Sequence, residues 1–241
     1  MIEVNASEIV TVDKMSGVGP ATVTLTASAN PVAEERMGKI KVKTGEQEIN
    51  VTVLQKAGNV VVIPEFDYLV LRYSWSDSDG KDFDTATGFL DTGMSDVDGK
   101  FVGWSLGYET TSMQVGNYII HGGDNMSSGK EAALINMREL LSAPGLNENE
   151  PSVSAVIYGN WYEELGRGDV EVSFTAYLGG EMKKGNFNFT NEGGEEVYTG
   201  SVKVNVKSTG ATNYQNIKQL YTRIGTMVYD KAERDCVIFI G

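Results

Sequence analysis

The N-terminal part of the chain alternates apolar and polar positions with a period of two. Residues 22–26 read Thr-Val-Thr-Leu-Thr, residues 39–43 read Lys-Ile-Lys-Val-Lys, and residues 50–53 read Asn-Val-Thr-Val. Strands that turn one face to a core and the other to solvent show this alternation. The segment is therefore predicted to form a small antiparallel β-sandwich.

The rest of the chain has longer apolar and aromatic runs separated by glycine-rich breaks. Strands are predicted at residues 66–75, 100–108, 153–162, 169–178, 196–207 and 234–240. Glycine pairs at 179–180 and 193–194 predict turns, and residues 130–141 and 216–229 fit either strand or short helix. Many short strands with such breaks predict a second, larger β-sandwich, so the chain is predicted to be all-β.

Length and composition indicate two domains. The chain of 241 residues exceeds the usual size of a single domain. Composition changes after Gly58-Asn59, since every aromatic residue lies at or beyond Phe66. The predicted domains are residues 1–58 and residues 60–241.

Charge is concentrated in the larger domain. Residues 1–60 carry seven acidic and six basic residues, a net charge of −1, against −13 for the whole chain. So acidic a domain repels phosphate backbones, which excludes nucleic acid and favours metal cations as partners. A single histidine and a single cysteine argue against a zinc site and an internal disulfide. No apolar run is long enough to predict a membrane-spanning segment, and no signal peptide opens the sequence.

Four aspartates lie close together at Asp77, Asp79, Asp82 and Asp84. In an extended segment, residues two apart point to one side, so Asp82 and Asp84 bring their carboxylates together. Like charges at that distance repel, and a calcium ion, which prefers oxygen ligands, removes the repulsion. For Asp77 and Asp79 an acidic surface turn is the alternative. The spacing does not fit an EF-hand loop.

The N-terminal segment resembles a known family. Ser16-Gly17-Val18-Gly19-Pro20, residues 34–42 and the closing residues 51–56 carry the likeness. They resemble the BACON domain, a small immunoglobulin-like β-sandwich common in secreted proteins of gut Bacteroidetes. The resemblance covers about residues 4–57, lacks the family's Trp-bearing first strand, and implies export. Without aromatic residues this copy is expected to be a spacer or docking module rather than a carbohydrate-binding one.

The larger domain resembles the TerD family of calcium-binding β-sandwich proteins. Tyr73-Ser74-Trp75, Asp82-Phe83-Asp84 and His121-Gly122-Gly123-Asp124-Asn125 follow the order of that family's motifs, over residues 69–178. Thr85 or Ala86 replaces the family's third aspartate, which implies one calcium ion or a weaker site. TerD relatives are often cytoplasmic, which conflicts with export. The calcium ligands implied by the resemblance are Asp82, Asp84, Asp124, Asn125 and Glu131.

The remaining candidate residues concern a further ligand or catalysis. Trp161 and Tyr162 are predicted to contact a ligand, with His121 beside Asp124 as a third contact. A carbohydrate-active hydrolase would need paired carboxylates, for which Glu163 and Glu164 are candidates. Phosphate-binding and serine-nucleophile motifs are absent from the sequence. The sequence therefore predicts a non-enzymatic, exported, calcium-binding module for a glycan or a surface protein; a hydrolase and a structural component of a surface or virion assembly are the alternatives.

Overall fold

A computed structural model describes residues 2–5, 10–20, 22–27, 36–44, 47–55, 59–75, 82–104, 111–126, 129–162, 165–209 and 217–241. The chain divides into two units, one of Met1–Val60 with Ile240 and one of Val61–Phe239 with Gly241. Almost all of the described residues outside loops are in β-strands, as the sequence predicts. Gly58, at the predicted domain boundary, lies outside the described residues.

The described residues of the smaller unit form five strands. They are β1 (Ile2–Asn5), β2 (Val10–Val12), β3 (Leu25–Ala27), β4 (Arg36–Thr44) and β5 (Gln47–Gln55). An antiparallel sheet has the order β1-β4-β5, and β2 pairs with β3. Its core is formed by Ile2, Val10 and Ile40. Ile40 is buried, whereas its neighbour Lys39 is exposed and its neighbour Lys41 is partly exposed. This confirms the period of two in the sequence.

The described residues that follow form seven strands up to His121, and the first of these strands begins in the smaller unit and ends in the larger one. These are β6 (Asn59–Ile63), β7 (Tyr68–Ser74), β8 (Phe83–Phe89), β9 (Phe101–Gly103), β10 (Thr111–Ser112), β11 (Gln114–Val115) and β12 (Ile119–His121). The elements that follow are β13 (Lys130–Asn136), α1 (Met137–Leu141), β14 (Ser152–Trp161), β15 (Leu165–Leu178), β16 (Glu181–Gly185), β17 (Asn188–Glu192), β18 (Glu195–Thr209), α2 (Ile217–Leu220), β19 (Thr222–Asp230) and β20 (Cys236–Ile240).

Two sheets make up most of the larger unit. Sheet I has seven strands in the order β10-β9-β8-β14-β19-β20-β6, and sheet II has six in the order β11-β12-β13-β7-β15-β18. Tyr73 of sheet II meets Thr87 of sheet I, with their hydroxyl oxygens 3.3 Å apart. Along β15, Val170, Val172 and Phe174 are buried in this interface. The two sheets thus face each other as a sandwich-like, all-β fold.

The two ambiguous segments each combine a strand with a short helix. Residues 130–136 form β13, and Asn136 then caps α1 by accepting a hydrogen bond from the Glu139 backbone N–H. Residues 217–220 form α2 ahead of β19. Turns at both glycine pairs are confirmed, since Gly179, Gly180 and Gly193 have φ values of 70°, 74° and 79°.

Candidate metal centre

Asp82 immediately precedes β8 and Asp84 is the second residue of this strand, next to the end of β14. In the register of these strands, Asp84 is opposite Asn160 and Phe83 is opposite Trp161. Every residue of β8 is buried, and Asp84 is only 1% exposed. Because residues two apart share a face, both carboxylates point to the same side of sheet I.

Asp124 reaches the same place from the loop after β12. The Gly122 backbone N–H donates to the Ala132 carbonyl at 2.7 Å, so the pairing with β13 continues one residue past the strand. Gly123 then has a φ of 129°, which favours glycine, and a Cβ there would lie 3.3 Å from the Phe187 ring. This bend brings Asp124 to the carboxylates of β8.

The structure brings three carboxylates together. One oxygen from each of Asp82, Asp84 and Asp124 lies within 4.8 Å of the other two. We call these residues the aspartate triad. They come from two segments that are about forty residues apart in the sequence, as the sequence predicts for Asp82, Asp84 and Asp124.

The electrostatic environment of the aspartate triad opposes negative charge. Burial, followed by the charge of Glu131, raises the pKa of Asp84 to about 9. Burial and then the charge of Asp124 raise the pKa of Asp82 to about 7. Burial and then Glu131 raise the pKa of Asp124 to about 6. Desolvation disfavours each ionised carboxylate, and the neighbouring carboxylates add to the effect.

Each member of the aspartate triad also has an oxygen that lacks a donor. Oδ1 of Asp82, Asp84 and Asp124 is buried and accepts no hydrogen bond from any described residue. Buried polar atoms in folded proteins normally have a partner, so three such atoms in one place call for a ligand that accepts lone pairs. A hard cation has that chemistry.

Glu131 lies beside the aspartate triad rather than within it. Its Oε2 accepts a hydrogen bond from Thr85 Oγ1 at 2.8 Å and lies 3.3 Å from His121 Nε2. Its Oε1 accepts from the Asn125 backbone N–H at 3.3 Å. Glu131 is fully buried, and both of its oxygens contact protein groups. The geometry therefore gives Glu131 a role in holding the loop that carries Asp124, and its direct ligation of a metal stays a prediction.

Asn125 is also engaged in holding this loop. Its Nδ2 donates to the Lys130 carbonyl at 3.2 Å, in addition to the backbone bond to Glu131. Ligation of a metal by Asn125 stays a prediction. Asp77 and Asp79, the other predicted ligands, lie outside the described residues.

Two contacts of this site were missed by the sequence prediction. The Tyr221 hydroxyl donates to Asp84 Oδ2 at 3.3 Å from a position 137 residues away in the chain. Thr85 donates a hydrogen bond to Glu131 and so supports the residues around the site. Residue type and spacing give no signal for either contact, because both depend on how the two sheets pack.

The predicted ligand-contact residues are less accessible than expected. Trp161 is 5% exposed, its ring centroid lies 4.7 Å from that of Phe83, and a Cβ on Gly168 would lie 2.6 Å from it. His121 is fully buried against Glu131. Tyr162 is half-buried beside Trp104, with ring centroids 6.0 Å apart. The surrounding rings and Gly168 enclose Trp161, and ligand contact by these three residues stays a prediction.

The tryptophans belong to the core. Trp75, Trp104 and Trp161 are between 5% and 8% exposed, so all three side chains are packed in the interior of the larger unit. Glu163 and Glu164, the candidate hydrolase residues, lie outside the described residues.

One known family matches part of the chain. Residues 4–56 match a family model described as "BACON: Putative binding domain, N-terminal". This supports the BACON-like domain that the sequence predicts, whereas no match supports the resemblance of the larger unit to the TerD family. No curated protein and no solved structure matches the chain. Among the described residues, no helix has the length and apolar character needed to cross a membrane.

Proposed function

We propose that this chain is an exported, non-enzymatic binding protein whose larger unit binds one calcium ion at the aspartate triad. The observation that supports this most strongly is the convergence of three carboxylate oxygens within 4.8 Å from two separate segments. Opposite ligands of a calcium ion are about 5 Å apart, because calcium–oxygen distances are about 2.3–2.6 Å. The spacing therefore suits one ion shared by all three side chains.

The ligand types favour calcium over zinc. The aspartate triad offers only oxygen donors, which hard cations prefer. The single histidine has its Nε2 directed at Glu131, and the single cysteine, Cys236, is in β20. Calcium also tolerates irregular geometry, whereas magnesium requires a nearly ideal octahedron. A site assembled from a strand and a loop suits the more tolerant ion.

The proposed ion would act first on structure. It would neutralise the three carboxylates and fix the loop that carries Asp124 against the first residues of β8. Extracellular calcium-binding modules commonly have Kd values of about 0.1–1 mM, which suit the millimolar calcium found outside cells. Export, suggested by the BACON-like unit, would place the chain in such an environment.

The partner of the whole chain would be a glycan or a surface protein. The BACON-like unit, described as a binding domain by its family, would serve as a spacer or docking module. The family resemblance of the larger unit to TerD proteins, seen in the order of the aspartate motifs, is part of this proposal. It supplies the expectation of calcium but no further partner.

A function as a glycosidase is less well supported by the same site. Glycoside hydrolysis needs two carboxyl groups about 5–9.5 Å apart across an accessible cleft. Oxygens of the aspartate triad lie closer together than this, and Asp84 is 1% exposed. The arrangement therefore favours cation binding over catalysis on a sugar.

Isothermal titration calorimetry tests the proposal directly. Chelator-stripped protein is titrated with calcium, together with the variants Asp124→Asn and Asp96→Asn. Asp96 is an exposed aspartate in a loop of the same unit, so its variant makes the same chemical change away from the site. We expect one calcium per chain for the wild type and Asp96→Asn, and a Kd raised at least about tenfold for Asp124→Asn. Equal Kd values for both variants would show that the aspartate triad is not the site.

A further inference from the structure

Strand β5 forms one edge of the sheet in the smaller unit. In the described part of the chain, β4 is its only strand neighbour, with Ile40 opposite Val51 and Val42 opposite Ile49. An edge strand presents backbone N–H and C=O groups that can pair with another strand.

The apolar face of this sheet extends to the edge without cover. Ile40 is 2% exposed and belongs to the core of the unit. Val51 and Ile49 are on the same face, directly opposite Ile40 and Val42, yet they are 39% and 61% exposed. The side chains that continue the core face are thus largely open to solvent.

Edge strands in monomeric proteins are usually protected by lysine, proline or a bulge. β5 has the sequence Gln-Glu-Ile-Asn-Val-Thr-Val-Leu-Gln, which contains neither residue, and its register with β4 is unbroken. Its one charged side chain, Glu48, forms an ion pair with Lys41 of β4 at 3.1 Å. Lysine, proline and a bulge are therefore missing from the described strand β5, and Glu48 is its one charged residue.

The sequence of β5 is nearly symmetric about Val51. Gln47 and Gln55 are at its ends, Ile49 and Val53 flank Val51 on the core face, and Asn50 and Thr52 flank it on the other face. In an antiparallel pair with its own copy centred on Val51, every residue except Glu48 and Leu54, which face each other, would face one of the same character. Directly opposed apolar and β-branched residues stabilise such pairs.

We propose that β5 pairs in antiparallel fashion with β5 of a second copy of this chain, about a twofold axis at Val51. Val51 lies opposite Val51 of the second copy, and Ile49 lies opposite Val53 of the second copy. The two sheets then form one continuous sheet, and the exposed apolar positions of both copies lie side by side on one face.

Charge and register both favour this arrangement. Residues 1–60 have a net charge of only −1, so this unit is the part of the chain where two copies repel least. In the proposed register the only charged residue of the strand, Glu48, faces Leu54 of the second copy, so no like charges are opposed. A shift by one residue would place Val51 opposite Asn50 and lose the apolar matching.

Sedimentation velocity of the full chain over a wide concentration range tests the proposal. The wild type is expected to shift from 26.1 kDa to twice that mass as its concentration rises. Val51→Lys places two positive charges opposite each other and is expected to stay monomeric where the wild type is dimeric. Val18→Lys is the matched control, since Val18 is fully exposed in a loop of the same unit.

A charge-swap mixture separates lost pairing from lost folding. Val51→Glu alone is expected to be monomeric, and an equimolar mixture with Val51→Lys is expected to recover the dimer, because opposite charges then meet. A wild type that remains monomeric at all concentrations overturns the proposal. So does a dimer that persists in Val51→Lys, or a mixture of the two variants that stays monomeric.

Discussion

Thr85 donates a hydrogen bond to Glu131 at 2.8 Å, which joins sheet I to sheet II beside the aspartate triad. Both residues are buried, and Glu131 in turn accepts from the Asn125 backbone N–H of the loop that carries Asp124. One carboxylate thereby connects the two segments that supply the triad. The position of Asp124 relative to Asp84 depends on this connection.

The Thr85–Glu131 bond is expected to contribute measurably to stability. Thr85→Val keeps the shape of the side chain and removes the hydroxyl donor. The buried Oε2 of Glu131 then accepts one hydrogen bond fewer. We expect the free energy of unfolding to fall by about 1.5–3 kcal/mol, the usual range for a hydrogen bond to a charged group. Urea unfolding measured in a chelator gives this value.

Thr87→Val is the matched control for this variant. Thr87 is on the same face of β8, is equally buried, and pairs with the neutral Tyr73 hydroxyl at 3.3 Å. Its substitution should cost about 0.5–1.5 kcal/mol. A smaller loss for Thr85→Val than for Thr87→Val would count against the role given to Glu131.

Without calcium, the stability of the larger unit should fall as the pH rises. The pKa values of Asp124, Asp82 and Asp84 are raised to about 6, 7 and 9 in the folded state. Between the ordinary aspartate pKa near 4 and these values, the folded state binds more protons than the unfolded state, so raising the pH favours unfolding. The melting temperature in chelator should therefore decrease from about pH 5 to pH 9.

Calcium should reverse this trend. The ion binds ionised carboxylates, so its binding releases protons and strengthens as the pH rises. The difference between melting temperatures with calcium and with chelator should widen from pH 5 to pH 8. If the difference between the two melting temperatures were constant over this range, the three aspartates with raised pKa values would not be the groups that bind the ion.

Gly123 is expected to control the position of Asp124. With a φ of 129°, Gly123→Ala strains the backbone and brings a Cβ to 3.3 Å from Phe187. We expect a stability loss of about 1–3 kcal/mol and a calcium Kd raised at least about tenfold. Calorimetry measures the affinity and urea unfolding measures the stability.

Gly99→Ala is the control for Gly123→Ala. Gly99 also has a positive φ, of 73°, but a Cβ there meets no neighbouring atom and the residue is distant in sequence from the triad. It should lose stability through backbone strain and keep the calcium Kd of the wild type. If Gly123→Ala also keeps the wild-type Kd, the bend does not position a ligand.

The fold was predictable where a local pattern determines it. Alternation identified the strands around Ile40 and along β15, and the glycine pair at 179–180 identified a turn. The order of strands in each sheet was not predictable, since neighbours such as β8 and β14 meet only through long-range packing. The sequence also could not show which part of residues 130–141 is strand and which is helix, because short apolar runs fit both.

The candidate site was predictable in part for the same reason. The period of two brings Asp82 and Asp84 together, and the glycines before Asp124 indicate a tight bend. Sequence spacing could not show that Glu131 supports the loop, because its partners Thr85 and Asn125 are fixed by the packing of two sheets. The hydrogen bond from Tyr221 to Asp84 likewise depends on long-range packing and could not be predicted from sequence spacing.

Thermal unfolding of the wild-type chain in millimolar calcium and in chelator tests the central claim most directly. A ligand that binds only the folded state adds about 2.7 kcal/mol at one hundred times its Kd, which raises the melting temperature by about 5–10 °C for a domain of this size. The account predicts such a rise at pH 8 for the wild type and its loss in Asp84→Asn. Identical melting temperatures with calcium and with chelator would contradict it.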